Sequence, residues 1–246
     1  MNNVRTPRPT LTAKGRLFNE VLKQLQDAHA YFSFREVSQR VKEFGLKISP
    51  GTLRVYLSEA TASGLIHDAG RGWYSRLSEP VPLDPKPVAK LIRSVEKAFP
   101  LLDFTVWSTA QINPWMHHLL GKSVPFVSTD SDAREAVADY LRSQGYDAHL
   151  NPRGDAASKF TLREKTVVVR KRVLSAPVDG HFARIETLLV DLLLESQRLG
   201  LMDSGEFCDM ARAVASSGRL AMSSLVAYAA DRKQTTAAVF GDGWIN

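Results

Sequence analysis

Apolar residues return at steps of three and four along the first part of the chain. Leu17, Val21, Leu22 and Leu25 do so between Thr12 and Ala28, and the period predicts a helix there. A second stripe, Val37, Val41 and Phe44, follows Ser33. Glu36 stands three residues after that serine, the spacing of a capping box in which each side chain bonds the other residue's backbone amide. Gly45 closes this helix. Ser49-Pro50 supplies an N-cap and a first-turn proline for a third helix, with Leu53, Tyr56, Leu57 and Ala60 inward and Gly64 at its end. The stretch HDAGRGWYSRL then reads as two short strands around a Gly70-Arg71-Gly72 turn.

Periodicity stops between Glu79 and Pro87, where prolines occupy positions 80, 82, 85 and 87. Prolines this dense cannot continue a helix or an inner strand, so the stretch predicts an extended, semi-rigid linker. The chain is divided accordingly: a domain over 1–80, a linker over 81–87 and a second domain over 88–246. In the second domain Val88, Leu91, Ile92, Val95 and Phe99 mark a helix, and Leu101 to Val106 a strand. Thr109 to Leu120 reads as a helix interrupted by Pro114, followed by a strand at Val124 to Val127. A helix capped by Asp130 or Ser131 comes next, with Ala136, Val137, Tyr140 and Leu141 as its apolar positions. Asp147 to Leu150 and Thr166 to Arg170 are strands; Ile185 to Leu199, Asp203 to Ser216 and Leu220 to Asp231 are helices. This order predicts an α/β core with a small mixed sheet, followed by a C-terminal helical bundle.

The order helix, helix, short turn, helix, hairpin over residues 10–78 is that of a winged helix-turn-helix. The segment ISPGTLRVYLSEATASGLI resembles that family's recognition helix leading into its wing. The resemblance gives the chain an α/β (α+β), two-domain architecture that begins with a DNA-binding module. A helix N-terminus presents free amides and a positive dipole end to phosphate. Ser49, Thr52 and Arg54 lie on the part of the helix that enters the major groove in this geometry, and Arg can read guanine through two parallel hydrogen bonds. Arg71 at the wing tip suits a phosphate or the neighbouring minor groove. Ser33 and Arg35 would meet the backbone, flanked by Lys47. Trp73 and Tyr74 read as wing packing. Charge agrees with this assignment. Of a net +6, residues 1–80 hold twelve basic and seven acidic side chains, and 81–246 hold twenty and nineteen. A basic excess confined to one third of the chain is expected of a polyanion-binding module.

Catalytic patterns are scarce. Neither GxxxxGK nor GxGxxG occurs, and HExxH is absent. His117 and His118 are adjacent on a predicted helix and point about 100° apart, so they cannot share a metal. Ser108 has no convincing base. The one cysteine, Cys208, reads as a buried structural thiol on an amphipathic helix. A single cysteine excludes an intramolecular disulfide framework and fits a cytoplasmic protein. No apolar run is long enough to cross a bilayer. The opening MNNVRTPRPT has no apolar core behind its basic residues, unlike a secretory signal. A restriction-type nuclease would need an acidic-x-Lys on the strand after Asp103. The strand VVVRK has no acid, and the triplet Asp84-Pro85-Lys86 lies in the linker. Asp191 and Glu195, four apart among leucines, read as structural, with Arg170 or Arg172 as the cation facing Asp191. The cluster Arg170-Lys171-Arg172 reads as a solvated strand end.

The succession LDFTVWSTAQINPWMHHLLGK, PFVSTDSDAREAVADYL, YDAHLNP, KTVVVRKRVLSAPV and ARIETLLVDLLLE resembles AbiEi, the antitoxin and regulator family of bacterial abortive-infection (type IV) toxin–antitoxin systems. The resemblance spans the N-terminal module and most of residues 86–232. It implies an autorepressor that binds inverted repeats in its own operator, and a C-terminal domain that counteracts a nucleotidyltransferase-like toxin. It implies no enzymatic activity, cofactor or metal. Two other readings stay open: a degenerate restriction-endonuclease-like nuclease, and an adaptor that uses the winged helix to dock proteins.

Overall fold

The computed structural model describes residues 12–116 and 122–244 and is a mixed α/β protein with two sheets. The described residues divide into two compact units, 12–78 and Glu79–Trp244.

In the first unit the predicted opening helix is interrupted. It starts as α1 (Ala13–Arg16), passes through a π-helical stretch at Leu17–Leu22 and finishes as α2 (Lys23–Ala28). A short strand β1 (Tyr31–Ser33), not anticipated from the periodicity, precedes α3 (Phe34–Glu43). The capping box forms as expected: the Glu36 amide donates to Ser33 Oγ at 3.2 Å and the Ser33 amide to Glu36 Oε2 at 2.5 Å. Helix α4 (Pro50–Ala62) has Ser49 as its N-cap and proline in its first turn. Strands β2 (His67–Asp68) and β3 (Trp73–Ser75) form the hairpin. Strand β1 adds to its far edge, giving the antiparallel order β1-β3-β2. Leu17, Val21, Leu22, Phe32, Val37, Leu53, Leu57, Ala60 and Ile66 close into one core at or below 2% exposure.

The proline-rich stretch belongs to the second unit. Glu79 and Val81 exchange backbone hydrogen bonds with Arg219, at 2.7 and 3.2 Å, and Val81 is buried. Helix α5 (Lys86–Ala98) starts within the stretch, with Pro85 as its N-cap.

The sheet contains β4 (Phe104–Ser108), β5 (Pro125–Thr129), β6 (Asp147–Leu150), β7 (Thr166–Lys171), β8 (Val178–Asp179) and β9 (Phe182–Ala183). Their order is β6-β7-β5-β4-β9-β8. Pairs β6/β7, β7/β5 and β4/β9 are parallel; β5/β4 and β9/β8 are antiparallel. The β8–β9 pair was not legible in the pattern. After β4 the chain forms a 3₁₀ helix, Thr109–Trp115, rather than an α-helix. The rest of that predicted helix, including His117 and His118, lies outside the described residues.

Alternation sorts the sheet's two faces. Phe104, Val106, Val127, Val167 and Val169 join α5 and α6 (Arg134–Ser143) in one apolar cluster. Neither Asp130 nor Ser131 caps α6: its N-cap is Ala133, and Asp130 instead faces Arg172 at 3.3 Å. Thr105, Trp107, Phe126, Ser128, Val168 and Arg170 occupy the opposite face. A one-turn helix α7 (Asp155–Ser158) follows β6.

Helix α8 (Ile185–Leu199) is buried nearly all round. Helices α9 (Ser204–Ser217), α10 (Met222–Asp231) and α11 (Thr236–Phe240) pack on it, the last unforeseen. Cys208 on α9 is half-buried rather than buried. Among the described residues no helix is long and apolar enough to cross a membrane.

Candidate nucleic-acid interface

All seven expected contact residues are exposed or half-buried: Ser33 and Ser49 as the N-caps of α3 and α4, Arg35, Thr52 and Arg54 on those helices, Arg71 in the hairpin turn and Lys47 just before α4. Ser49 Oγ accepts from the Thr52 amide at 3.1 Å and lies 2.9 Å from Thr52 Oγ1, so both hydroxyls are held at the start of α4. Ser33 is tied into its capping box, where its Oγ accepts the Glu36 amide, and its hydroxyl proton is left to donate to another partner.

Arg54 is exposed, with its guanidinium carbon 4.9 Å from the centre of the Phe34 ring. Phe34 begins α3, so this cation–π contact links α4 to the N-terminal turn that carries Ser33 and Arg35. The Phe34 amide donates to the Gly72 carbonyl at 2.8 Å, tying that turn to the hairpin. Arg71 lies between Gly70 and Gly72, whose φ values of +96° and +77° few other residues adopt. Asp68 Oδ1 accepts from the Gly70 amide at 3.0 Å and fixes the start of this turn. Arg54, Phe34 and the Arg71 turn therefore form one connected surface. Tyr74 borders it; burial and the Asp68 charge raise its phenol pKa, partly offset by Arg54.

Ion pairing within the unit is uneven. Lys14 pairs with Glu59, Arg16 with Glu20 and Arg40 with Glu43. Arg35, Lys47, Arg54 and Arg71 have no ion-pair partner among the described residues. Two acids lie on this surface, Glu36 and Asp68, and each accepts a backbone amide rather than pairing with one of its cations.

One residue of this surface escaped the sequence reading. With Leu53, Leu57 and Ala60 inward, 100° steps place Gly51, Val55 and Ser58 at the centre of the outer face of α4, with Arg54 on its flank. Val55 is 56% exposed. The signal was available, since a valine opposite a buried stripe is solvent-facing by geometry.

In the second unit several expectations change. Asp191 faces Arg232, at 3.1 Å, and not Arg170 or Arg172. Arg170 ion-pairs with Glu195, and Arg172 with Asp103 and Asp130. Arg170 is buried, so the cluster is not a solvated strand end; only Lys171 is exposed. Burial outweighs the pairing of Asp191 and raises its carboxyl pKa to about 6. Ser108 Oγ caps the 3₁₀ helix opposite Gln111, a structural post. Asp103, the acid a nuclease would use, is held by Arg172 at 3.2 Å. Among the described residues no three His, Cys, Asp or Glu side chains gather to hold a metal.

Residues 52–239 match a protein family described as a family of unknown function (DUF6577). The match begins within α4 and runs to α11, so it includes the hairpin as well as nearly all of the second unit. No curated protein matches the chain.

Proposed function

The chain belongs to DUF6577, and from that premise we propose that it is a double-stranded-DNA-binding regulator whose first unit is a winged helix-turn-helix. In this reading α4 lies in the major groove, the Arg71 turn is the wing and the start of α3 rests on the phosphate backbone. The observation that carries it is unpaired positive charge on one surface: Arg35, Lys47, Arg54 and Arg71 carry no ion pair among the described residues, and the acids beside them, Glu36 and Asp68, accept backbone amides instead. Val55, at the centre of the outer face, suits a thymine methyl group.

The AbiEi-like phrases of the second unit support an autorepressor and antitoxin that opposes a nucleotidyltransferase-like toxin, without enzymatic activity of its own. The decisive experiment is a salt-dependent gel shift on DNA from upstream of its own reading frame against scrambled duplex. Specific binding that weakens steeply with salt is expected. Equal or absent binding to both duplexes would overturn the reading. Incubation of plasmid with Mg²⁺ or Mn²⁺ is expected to give no nicking; cleavage lost in Asp103→Ala would establish a nuclease instead. Co-expression with the toxin tests the antitoxin role, and rescue of growth is the expected result. The exposed apolar Val55 favours one second reading, a protein-docking adaptor on the same surface, which predicts no DNA binding at any salt.

A further inference from the structure

The second unit contains a cavity of about 720 Å³ over the α8-facing side of the sheet. Alternation along the strands builds its floor. Trp107 pairs across from Phe126 in register, and their rings stack with centroids 4.2 Å apart. Ser128 and Arg170 pair in the next rung. One wall is α8, through Asp191, Glu195 and Arg198; another is the end of α10 with Arg232 and Lys233. The loops that follow β6 and β7 form the rim, so the cavity opens at the carboxyl ends of the parallel strands, where open α/β sheets place ligands.

The lining is strongly cationic. Seven basic residues and three acidic ones line it, and two of those acids are already engaged. Asp191 is held by Tyr228 and Arg232, and Glu195 by Arg170 and Arg198. Arg153, Lys171 and Lys233 are exposed and carry no ion pair among the described residues. Deeper in, the Arg170 side chain is only 8% exposed. Its terminal nitrogens bond Glu195, Asn151 and Pro152, but its Nε–H is buried with no acceptor. A buried donor left unmade is costly, and an anion that reached it would relieve that cost. The lip is apolar: Leu174 is 83% exposed beside Val173.

We propose that this cavity binds a small phosphorylated ligand of the nucleotide class. Its phosphoryl oxygens would lie between Arg153 and Lys233, on the side of the Arg170 guanidinium, and its unsaturated ring against Val173 and Leu174 at the lip. Guanidinium and ammonium groups recognise phosphate through charge-assisted hydrogen bonds, and the volume is that of a small-molecule site. Inorganic phosphate has the charge but nothing for the apolar lip. An oligonucleotide has both but would have to thread a bounded cavity. The ligand site stands whether or not α4 reads DNA.

The test titrates the full chain with ATP, GTP, CTP, UTP and their diphosphates, with inorganic phosphate and with a ten-nucleotide single strand, followed by calorimetry. Tryptophan fluorescence runs in parallel, because Trp107 forms the floor. At least one nucleotide is expected to bind in the micromolar range and change the fluorescence, with phosphate far weaker. Arg153→Ala and Lys233→Ala should each weaken it by roughly tenfold with unchanged melting temperature, since both side chains are exposed. Arg170 is unsuitable as the sole variant because its loss leaves Glu195 buried with less compensation. The proposal is overturned by any of three results: no nucleotide binds at about 1 mM, binding is indifferent to both rim variants, or only the oligonucleotide binds.

Discussion

Replacing Asp191 by Asn should remove a specific portion of the protein's pH-dependent stability. Asp191 lies on α8 with its carboxylate 2.8 Å from the Tyr228 hydroxyl and 3.1 Å from the Arg232 guanidinium. Its pKa is nevertheless raised from 3.8 to about 6, because desolvation exceeds what Arg232 and Tyr228 return, with Glu195 opposing ionisation and Arg198 favouring it. A carboxyl whose pKa is higher folded than unfolded stabilises fully below the unfolded value, and that contribution is lost as pH rises through the folded one. At about 1.4 kcal/mol per pKa unit, the loss between pH 3.8 and 6 amounts to about 3 kcal/mol. Asn keeps an oxygen that accepts from Tyr228 but cannot ionise. Stability of Asp191→Asn relative to wild type should therefore rise by about 3 kcal/mol from pH 3 to pH 7. Urea unfolding of both proteins at half-unit pH steps measures the difference, and all other titrations cancel in it. A difference that stays flat across this range would refute the burial argument; one that falls would mean that Arg232 dominates.

Other expectations follow from the same geometry. Arg170→Met should destabilise by ~3 kcal/mol by leaving Glu195 buried against Arg198 alone, while Arg170→Met/Glu195→Leu should recover most of that; chemical denaturation of the single and double variants decides. Gly218→Ala places a Cβ 2.9 Å from the Val81 backbone, so a loss of about 1–3 kcal/mol is expected in a melting experiment, and an unchanged melting temperature would show that the Val81 segment gives way freely. On DNA, Arg54→Ala should cost ~1–3 kcal/mol of discrimination between operator and scrambled duplex. Arg71→Ala should weaken both about equally and flatten the salt slope by about one unit. Titrations at several salt concentrations separate the two, and no effect from either would move the function away from this surface.

Local signals survived into the structure where the partner lies within a few residues. Ser33 with Glu36, and Ser49 with Pro50, are settled by side chains meeting backbone amides one turn away. Asp203, expected as the first residue of its helix, is its N-cap. What escaped was non-local. Strand β1 has three residues, too few to show alternation, and exists because β3 offers it an edge. The cation facing Asp191 comes from α10, forty-one residues on, a pairing that spacing cannot reveal. The Arg170–Arg172 run looked solvated because sequence shows strand ends but not the helices that later cover them. Asp130 was a reasonable cap by residue type, yet Arg172 competes for its carboxylate. For the candidate interface, exposure of the basic residues was legible; the link from Arg54 through Phe34 to the hairpin was not, because it depends on three segments meeting.

The hydrogen bonds between Glu79, Val81 and Arg219 also set an order of events during synthesis. The segment that opens the second unit has its backbone partner at the joint between α9 and α10, roughly 140 residues later. Chains are made at about 5–20 residues per second, and domains generally fold as units. The first unit can therefore finish on a nascent chain while the second waits several seconds for its closing residues. Towards the end of that interval the leucine-rich α8 has been made and has no complete α9 or α10 to cover it. A ribosome stalled between residues 200 and 220 would carry a folded first unit joined to a second that is still open.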